Sequence, residues 1–210
     1  CAVPAFRALR AAFPRAHITL IGLEWAAAFV RRFSRYLDEF ILFPGYPGLP
    51  EKPPDIALFP RFIDEMRRRR FDLALQLHGS GDCVNPIISM MGARSNACFH
   101  PDQTFISGNH MYLKYPDEGH EIHRLLALTS FLGITEKGSS LEFPLTPEDD
   151  AAAALMLGEN AGRAFVCMHV GSRSPNRTWS PRCFAAVGDA VAEEGFPLVM
   201  TGSAEERPLI

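Results

Sequence analysis

The sequence predicts an α/β protein of two domains, because predicted strands and helices alternate along most of its 210 residues. Short apolar runs, such as residues 39–43 and 164–170, have the composition of strands buried in a parallel sheet. Longer segments with apolar residues at helical spacing lie between these runs, and this order is typical of βαβ units. Because the alternation recurs in both halves, we predict two α/β domains that face each other across a cleft.

The first half begins with an amphipathic helix, since Phe6, Leu9 and Phe13 fall on one side of residues 4–13. Residues 44–54 are too rich in proline and glycine for regular structure, and we interpret them as a lip at the domain edge. The remaining predicted elements of this half are helices at 25–33, 56–70, 84–91 and 119–132, strands at 17–21, 39–43, 72–77 and 95–99, and an irregular stretch at 100–117.

A domain boundary is predicted near Pro144 and Pro147, because two closely spaced prolines interrupt regular structure before an acidic, alanine-rich helix at 148–157. The predicted domains are residues 1–145 and 146–210. No internal repeat accompanies the alternation. The two domains are therefore predicted from the order of their elements and not from self-similarity.

The second domain contains a complete βαβ unit, with strands at 164–170 and 197–201 on either side of one helix. Ser180 is expected to cap this helix by accepting a backbone N–H bond, and Pro181 suits its first position. Gly195 supplies the left-handed residue that commonly ends a helix. The loops after both strands leave the carboxyl edge of a parallel sheet, which is where open α/β sheets bind ligands.

Composition and charge exclude several classes of protein. A hydrophobic fraction of 47% with 21% charged residues is typical of a soluble globular domain, and the net charge of -3 gives no general attraction to nucleic acid. No apolar run reaches the roughly 20 residues of a membrane span, and no signal-peptide pattern opens the chain. The five cysteines form no C-x-x-C pair, so we expect reduced thiols in a cytosolic protein, with Cys167 and Cys183 buried.

Charged residues cluster in the two loops that follow the strands of the βαβ unit. Arg173 and Arg177 precede a helix N-terminus, where backbone N–H groups and the helix dipole favour an anion such as a diphosphate. Glu205 and Glu206 lie in the next loop and could accept hydrogen bonds from ribose hydroxyls. Together these residues suggest a nucleotide site. The alternative is that they are ordinary solvated loop charges.

A second candidate loop, His78-Gly79-Ser80-Gly81, follows the predicted strand at 72–77. It lacks the G-x-S-x-G pattern of a nucleophile elbow, because position 78 is histidine. We interpret this glycine loop (residues 78–81) as a flexible segment whose backbone N–H groups approach a bound substrate closely. A tight strand-to-helix turn is the alternative.

Two further clusters are interpreted as solvated surface. His120 and His123 could share a helix face, but one helical turn supplies too few metal ligands, so no metal site is predicted. The four arginines at 67–70 suit a solvated helix end, where the helix dipole favours cations. The alternative is that they contact an anionic membrane surface.

With these residues in view, the chain resembles the heptosyltransferases of glycosyltransferase family 9 over nearly its whole length. The first helix, the glycine loop and the loops of the βαβ unit all take part. The segments that carry the resemblance are 4–14, 72–81 with Asn85-Pro86, 169–172, 177–180 and 201–206.

This resemblance implies a GT-B architecture of two Rossmann-like domains with parallel sheets, the second of them truncated. It implies an inverting glycosyltransferase that uses neither a metal nor another cofactor and moves a heptose from an ADP-sugar to the lipopolysaccharide core. The implied location is the cytoplasm, with peripheral contact at the inner membrane. A related transferase that uses another nucleotide sugar or glycan acceptor stays open as an alternative.

The family motifs also imply roles for the candidate residues. Ser172, Arg173 and Arg177 would contact the donor diphosphate, and Glu206, or else Glu205, would hold the ribose. Family members commonly carry lysine at the position of Arg177. Arginine keeps the positive charge, but it replaces the point contact of an ammonium with the forked contact of a guanidinium. The glycine loop would face the acceptor.

Both ends of the chain are expected to be cut, and the first strand of the first domain to be missing. The general-base aspartate of the family would precede Cys1, and a later donor motif would follow Ile210. The chain by itself is therefore expected to be inactive. Because no complete catalytic set is present, a second hypothesis stays open, namely a two-lobed module that binds a nucleotide or sugar without catalysis.

Overall fold

The computed structural model describes residues 1–172 and 175–209, and the chain divides into two compact units, Cys1–Pro144 and Leu145–Ile210. The described α-helices are α1 (Val3–Ala12), α2 (Ala26–Arg32), α3 (Phe59–Arg69), α4 (Val84–Met91), α5 (Glu121–Phe131), α6 (Pro147–Leu157) and α7 (Pro181–Glu193). The described strands are β1 (Thr19–Gly22), β2 (Glu39–Leu42), β3 (Leu73–Leu75), β4 (Ser95–His100), β5 (Phe105–Ser107), β6 (His110–Lys114), β7 (Val166–His169) and β8 (Leu198–Thr201). Each predicted helix and strand is present, with its ends shifted slightly.

The first unit holds two sheets whose strands are parallel apart from one hairpin. β1 pairs with β2, and the second sheet has the order β3-β4-β6-β5, with β5 antiparallel to β6. Parallel strands place the loops that follow them at one edge of a sheet. The lip thus follows the carboxyl end of β2, and the glycine loop follows that of β3.

The prediction that residues 100–117 are irregular is wrong, because β5 and β6 form a hairpin there. Ser107 pairs with His110, so the turn consists of Gly108 and Asn109. Gly108 has φ 60°, a positive value of the kind that two-residue hairpin turns favour. Gly-Asn is a hairpin signal, but the polar residues of both strands obscured it.

Strand β4 lies between β3 and β6 in the second sheet, and its side chains alternate between two faces. Ala97 and Phe99 pack with Leu125 of α5 on one face. Cys98 packs on the other face in a cluster with residues of α3 and α4, such as Met66. Burial there raises the pKa of the Cys98 thiol to about 12. This thiol is therefore protonated and inert at neutral pH.

The arginine-rich end of α3 is partly bound within the first unit. Arg69 donates to both carboxylate oxygens of Glu39 at 2.7 Å and to Glu65 at 3.0 Å. Arg67 donates to the carbonyl oxygen of Met90 at 2.9 Å. The run is thus more than a solvated helix end, because two of its arginines connect α3 to neighbouring segments.

The Glu39–Arg69 pair should account for part of the fall in the free energy of unfolding at acid pH. A hydrogen bond from Arg69 holds the pKa of Glu39 below its ordinary value of 4.5. A depressed pKa gives stability that is present above the unfolded-state pKa and is lost as the pH falls through the folded-state pKa. We expect Glu39→Gln to cost about 1 kcal/mol at neutral pH. The variant should also lose less stability than the wild type as the pH falls below 4.5.

Urea unfolding of both proteins from neutral pH to about pH 3 measures this difference. The matched control is Glu65→Gln, because Glu65 is the more exposed carboxylate on the same arginine. The prediction would be contradicted if the free energy of unfolding fell equally with pH in the wild type and in Glu39→Gln.

Residues 138–144 form an extended strap held by side chains of the first unit. Arg7 donates to two strap carbonyl oxygens at 3.0 and 2.9 Å and to the Glu142 carboxylate at 3.3 Å. Tyr36 Oη donates to the same carboxylate at 2.6 Å, and Arg35 forms an ion pair with it. Glu142 therefore joins the strap to α1 and to the turn after α2.

The second unit contains the parallel pair β7–β8, with α7 between them along the chain. Helix α6 begins with a capping box, in which Thr146 and Asp149 exchange side-chain and backbone hydrogen bonds. Gly195 has φ 81°, as predicted for the residue that ends α7. In the described residues, no helix has the length and apolar character needed to cross a membrane.

Two expectations about the second unit are wrong. Ser180 precedes α7, but its side chain makes no capping hydrogen bond. The strand within 164–170 is not buried on both faces, since Cys167 is exposed, and Cys183 of α7 is only half-buried. In the described residues this sheet has two strands, so much of its surface stays open to solvent.

Candidate functional site

The loops after β7 and β8 leave the same edge of the sheet in the second unit. The strands are parallel, with Val166 opposite Leu198 and His169 opposite Thr201. At the last pair, His169 Nδ1 and Thr201 Oγ1 are 3.3 Å apart. The two loops that sequence analysis assigned to one site therefore leave adjacent strands.

Glu206 connects these two loops. Its carboxylate accepts a hydrogen bond from the Ser203 amide at 2.6 Å. This bond, with a smaller contribution from His169, holds the pKa of the Glu206 carboxyl below its ordinary value. A Cβ at Gly171 would overlap the carboxylate, so glycine is what allows the close approach. Glu205 is exposed to solvent.

The residues predicted to contact the donor diphosphate follow Gly171 in the sequence. Arg177 ends a short 3-10 turn, Pro175–Arg177, just ahead of α7. It is exposed, and it forms no ion pair within residues 1–172 and 175–209. Ser172 is half-buried, whereas Arg173 lies outside the described residues. The donor contacts assigned to these residues stay predictions.

Trp179 lies at the surface of the second unit. The residue is 51% exposed, and its ring meets that of Phe184 edge-on, with centroids 5.3 Å apart. It borders an apolar groove of the second unit, together with residues such as Val166, Val187 and Phe196. Trp179 thus forms part of a groove wall.

The glycine loop of the first unit is a strand-to-helix turn that is stabilised by the side-chain amides of Gln76 and Asn85. Gln76 is 1% exposed, donates to the His78 carbonyl oxygen and accepts from the Phe99 amide at 3.3 Å. Asn85 Nδ2 donates to the Phe99 carbonyl oxygen at 2.8 Å. The alternative of a tight turn therefore describes the backbone of this loop, and its role toward a substrate stays a prediction.

Two glycines shape the loop in different ways. Gly79 has φ 59° and open space around it, whereas Gly81 has φ 98° and lies against Asn85 and Phe99. On the solvent side, His78 Nε2 lies 3.1 Å from Glu51 Oε1 of the lip.

Sequence reasoning missed both Gln76 and Glu51 as supports of the glycine loop. A polar residue inside the strand at 72–77 was a signal for Gln76, because a buried amide must find hydrogen-bond partners. The position of Glu51 had no comparable signal. Its contact with His78 joins residues 27 positions apart.

His120 and His123 lie at the start of α5. The rings of His120 and His123 have centroids 6.5 Å apart. In the described part of the chain, no group of three or more His, Cys, Asp or Glu side chains could hold a metal ion.

Comparisons with known proteins bear on the fold. No protein-family model and no curated protein matches the chain. It is similar to a glycosyl transferase family 9 structure from Veillonella parvula, with TM-score 0.72 and 19% identity, over 99% of this chain and 61% of that one. The chain has the fold of this glycosyltransferase. ADP-heptose LPS heptosyltransferase II from E. coli is also similar, with TM-score 0.63 and 15% identity, over 97% of this chain and 60% of that one.

The resemblance to glycosyltransferase family 9 is thus confirmed at the level of the fold. The GT-B class, with parallel sheets in an α/β chain, is confirmed with it. The chain spans 61% and 60% of the lengths of the two solved chains. At these identities the comparison establishes the glycosyltransferase fold, and any function has to be argued from the residues at the two sheet edges.

Proposed function

We propose that the protein is an inverting glycosyltransferase, which transfers a heptose or related sugar from an ADP-sugar to a lipopolysaccharide core or another glycan acceptor. The observation that carries this proposal is the carboxyl edge of β7 and β8, where Glu206 meets Gly171 in a chain with the fold of family 9. The proposal includes action in the cytoplasm with peripheral contact at the inner membrane, and it needs no metal.

The second unit would bind the leaving group. An ADP diphosphate is an anion, and Arg177 supplies an exposed positive charge just before α7. The Ser180 side chain makes no capping bond, so it does not compete for the first amide groups of this 13-residue helix. Ser172 and Arg173 would add contacts to the same diphosphate. Together these groups would stabilise the charge that develops as the sugar–phosphate bond breaks.

Glu206 would hold the ribose of the donor. Its pKa is lowered by the Ser203 amide, so the carboxylate is ionised at neutral pH and acts only as an acceptor. Two ribose hydroxyls can donate to such a group. Glu205 is the alternative ribose contact.

The reaction would be a single displacement. An acceptor hydroxyl attacks the anomeric carbon on the face opposite the ADP, the bond to the diphosphate oxygen breaks, and the configuration inverts. The hydroxyl proton passes to a general base. By the family resemblance that base is an aspartate.

Donor binding tests this proposal directly. Calorimetry should show that ADP and ADP-heptose bind the full-length protein, and that Arg177→Ala weakens both by about 10- to 100-fold. Arg177→Lys should recover part of the loss, because it restores the charge without the fork. The matched control is Arg163→Ala, an exposed arginine that precedes β7 at the opposite edge of the same sheet.

Two outcomes would count against the proposal. Absence of ADP binding, or equal binding by Arg177→Ala and wild type, would defeat the donor site. ADP binding without sugar transfer by the full-length protein would favour the non-catalytic binding module. A screen of nucleotide sugars separates a heptosyltransferase from a transferase for another sugar.

A further inference from the structure

The root of the lip, residues 44–54, is fixed in the first unit. Pro44 is buried, and the Asp55 amide donates to its carbonyl oxygen at 3.0 Å, which closes the loop at its base. Tyr46 packs on Phe59 of α3, with ring centroids 4.9 Å apart. The lip therefore starts from an anchored position.

The tip of the lip, residues 47–54, approaches the glycine loop at His78 and the start of α4 at Cys83. Glu51 Oε1 is 3.1 Å from His78 Nε2. Gly48 is so near Cys83 that a Cβ on this glycine would lie 3.4 Å from the Cys83 Sγ. Within the described chain, the Glu51–His78 pair is the one side-chain hydrogen bond made by the tip.

This contact is weak enough to open. The side chains of His78 and Glu51 are 56% and 36% exposed, so solvent screens the pair. Such a pair shifts an equilibrium only about two- to fivefold. Gly45 (φ 88°) and Gly48 (φ 92°) flank the junction of root and tip, while the prolines of the tip keep it stiff.

From these contacts we propose that the lip is a latched lid over the glycine loop, which must open to admit the acceptor glycan. The proposal rests on the proposed glycosyltransferase function. In the closed form Glu51 occupies the ring nitrogen of His78, and Gly48 lies beside Cys83, just after the glycine loop. In the open form the His78 ring is free to meet the hydroxyl groups of a sugar. The latch thus controls acceptor access and leaves donor binding unaffected.

A cross-link can hold the lid shut. In a full-length background with the exposed Cys1 and Cys167 replaced by serine, Gly48→Cys places a thiol beside Cys83. Oxidised glutathione takes two electrons and two protons from these thiols as the disulfide forms. The distance fits a disulfide with only a small adjustment. Loss of both free thiols and the mass change of the intramolecular bond report closure.

Closing the lid should prevent sugar transfer to the acceptor and leave donor binding unchanged. We expect transfer from ADP-heptose to a core oligosaccharide to fall at least about tenfold on oxidation and to return with dithiothreitol. ADP affinity should stay unchanged. The control is Gly48→Cys combined with Cys83→Ser, which carries the same strain at position 48 but cannot close. The proposed lid would be refuted if the cross-link failed to form, or if the cross-linked protein still transferred sugar at the full rate.

The latch itself is tested without activity. Glu51→Ala should raise hydrogen exchange at the tip amides about two- to fivefold, with exchange elsewhere unchanged. The control Glu118→Ala removes another exposed carboxylate of the same unit. Unchanged exchange at the tip would refute the latch. Absence of both ADP binding and transfer in the unmodified protein would instead defeat the proposed function and, with it, the acceptor role of the lid.

Discussion

Replacing Gly81 with alanine should lower the free energy of unfolding by about 3 kcal/mol, one of the largest effects of a single methyl group in this chain. Gly81 has φ 98°, which side chains other than hydrogen rarely adopt. A Cβ there would lie 2.5 Å from the Phe99 carbonyl oxygen and would overlap the Asn85 amide. Because the carbonyl belongs to β4, an interior strand on which Phe99 is fully buried, it cannot move aside without disturbing the core.

Urea unfolding followed by circular dichroism measures this loss. The matched control is Gly79→Ala two residues earlier, where φ is 59° and nothing lies within 4 Å of the added methyl group. There only the backbone penalty applies, about 1 kcal/mol. Equal losses at Gly79 and Gly81 would show that the collision with β4 does not occur.

The order of helices and strands could be predicted because each element has its own local pattern. Val84–Met91 is bounded as predicted, since an apolar run ends at Gly92 in the left-handed conformation. The hairpin of β5 and β6 was missed because its strands alternate weakly and carry histidine and lysine. Its register depends on stacking of Phe105 on Tyr112, a contact between strands.

Burial was harder to predict than secondary structure. The run at 164–170 has the composition of a strand covered on both faces, yet Cys167 is exposed and Phe165 is 39% exposed. Composition reports the tendency of a strand to be buried, whereas the accessible area depends on which neighbours lie beside it.

The candidate site was predictable only as far as strand direction determines it. Parallel strands bring the loops after β7 and β8 to one edge, and this placed the Glu206 segment beside Gly171 in outline. The overlap that a Cβ at Gly171 would cause with the Glu206 carboxylate was not predictable. Such close approaches depend on backbone separations that no sequence pattern records. The same limit applies to Glu51 and His78, whose pairing follows from how the lip folds back.

The strap at residues 138–144 shows how such a long-range contact can stabilise the fold. We expect Glu142→Ala to lower the free energy of unfolding by about 2 to 3 kcal/mol. The substitution removes the acceptor of Tyr36 Oη at 2.6 Å and of Arg7 at 3.3 Å, together with the ion pair to Arg35. Arg7 would retain its bonds to two strap carbonyl oxygens, but its Nε is already buried without a partner. The loss should therefore exceed that of an isolated surface pair.

Urea unfolding and hydrogen exchange of the strap amides together locate this effect. The control is Glu136→Ala, whose carboxylate accepts one exposed hydrogen bond from Ser130 at 3.0 Å and should cost less than about 0.5 kcal/mol. Tyr36→Phe removes one donor and keeps the ring, so it should account for about 1 kcal/mol of the Glu142→Ala loss. If Glu142→Ala and Glu136→Ala destabilise the protein equally, the strap is held by its backbone contacts with Arg7 and not by the carboxylate.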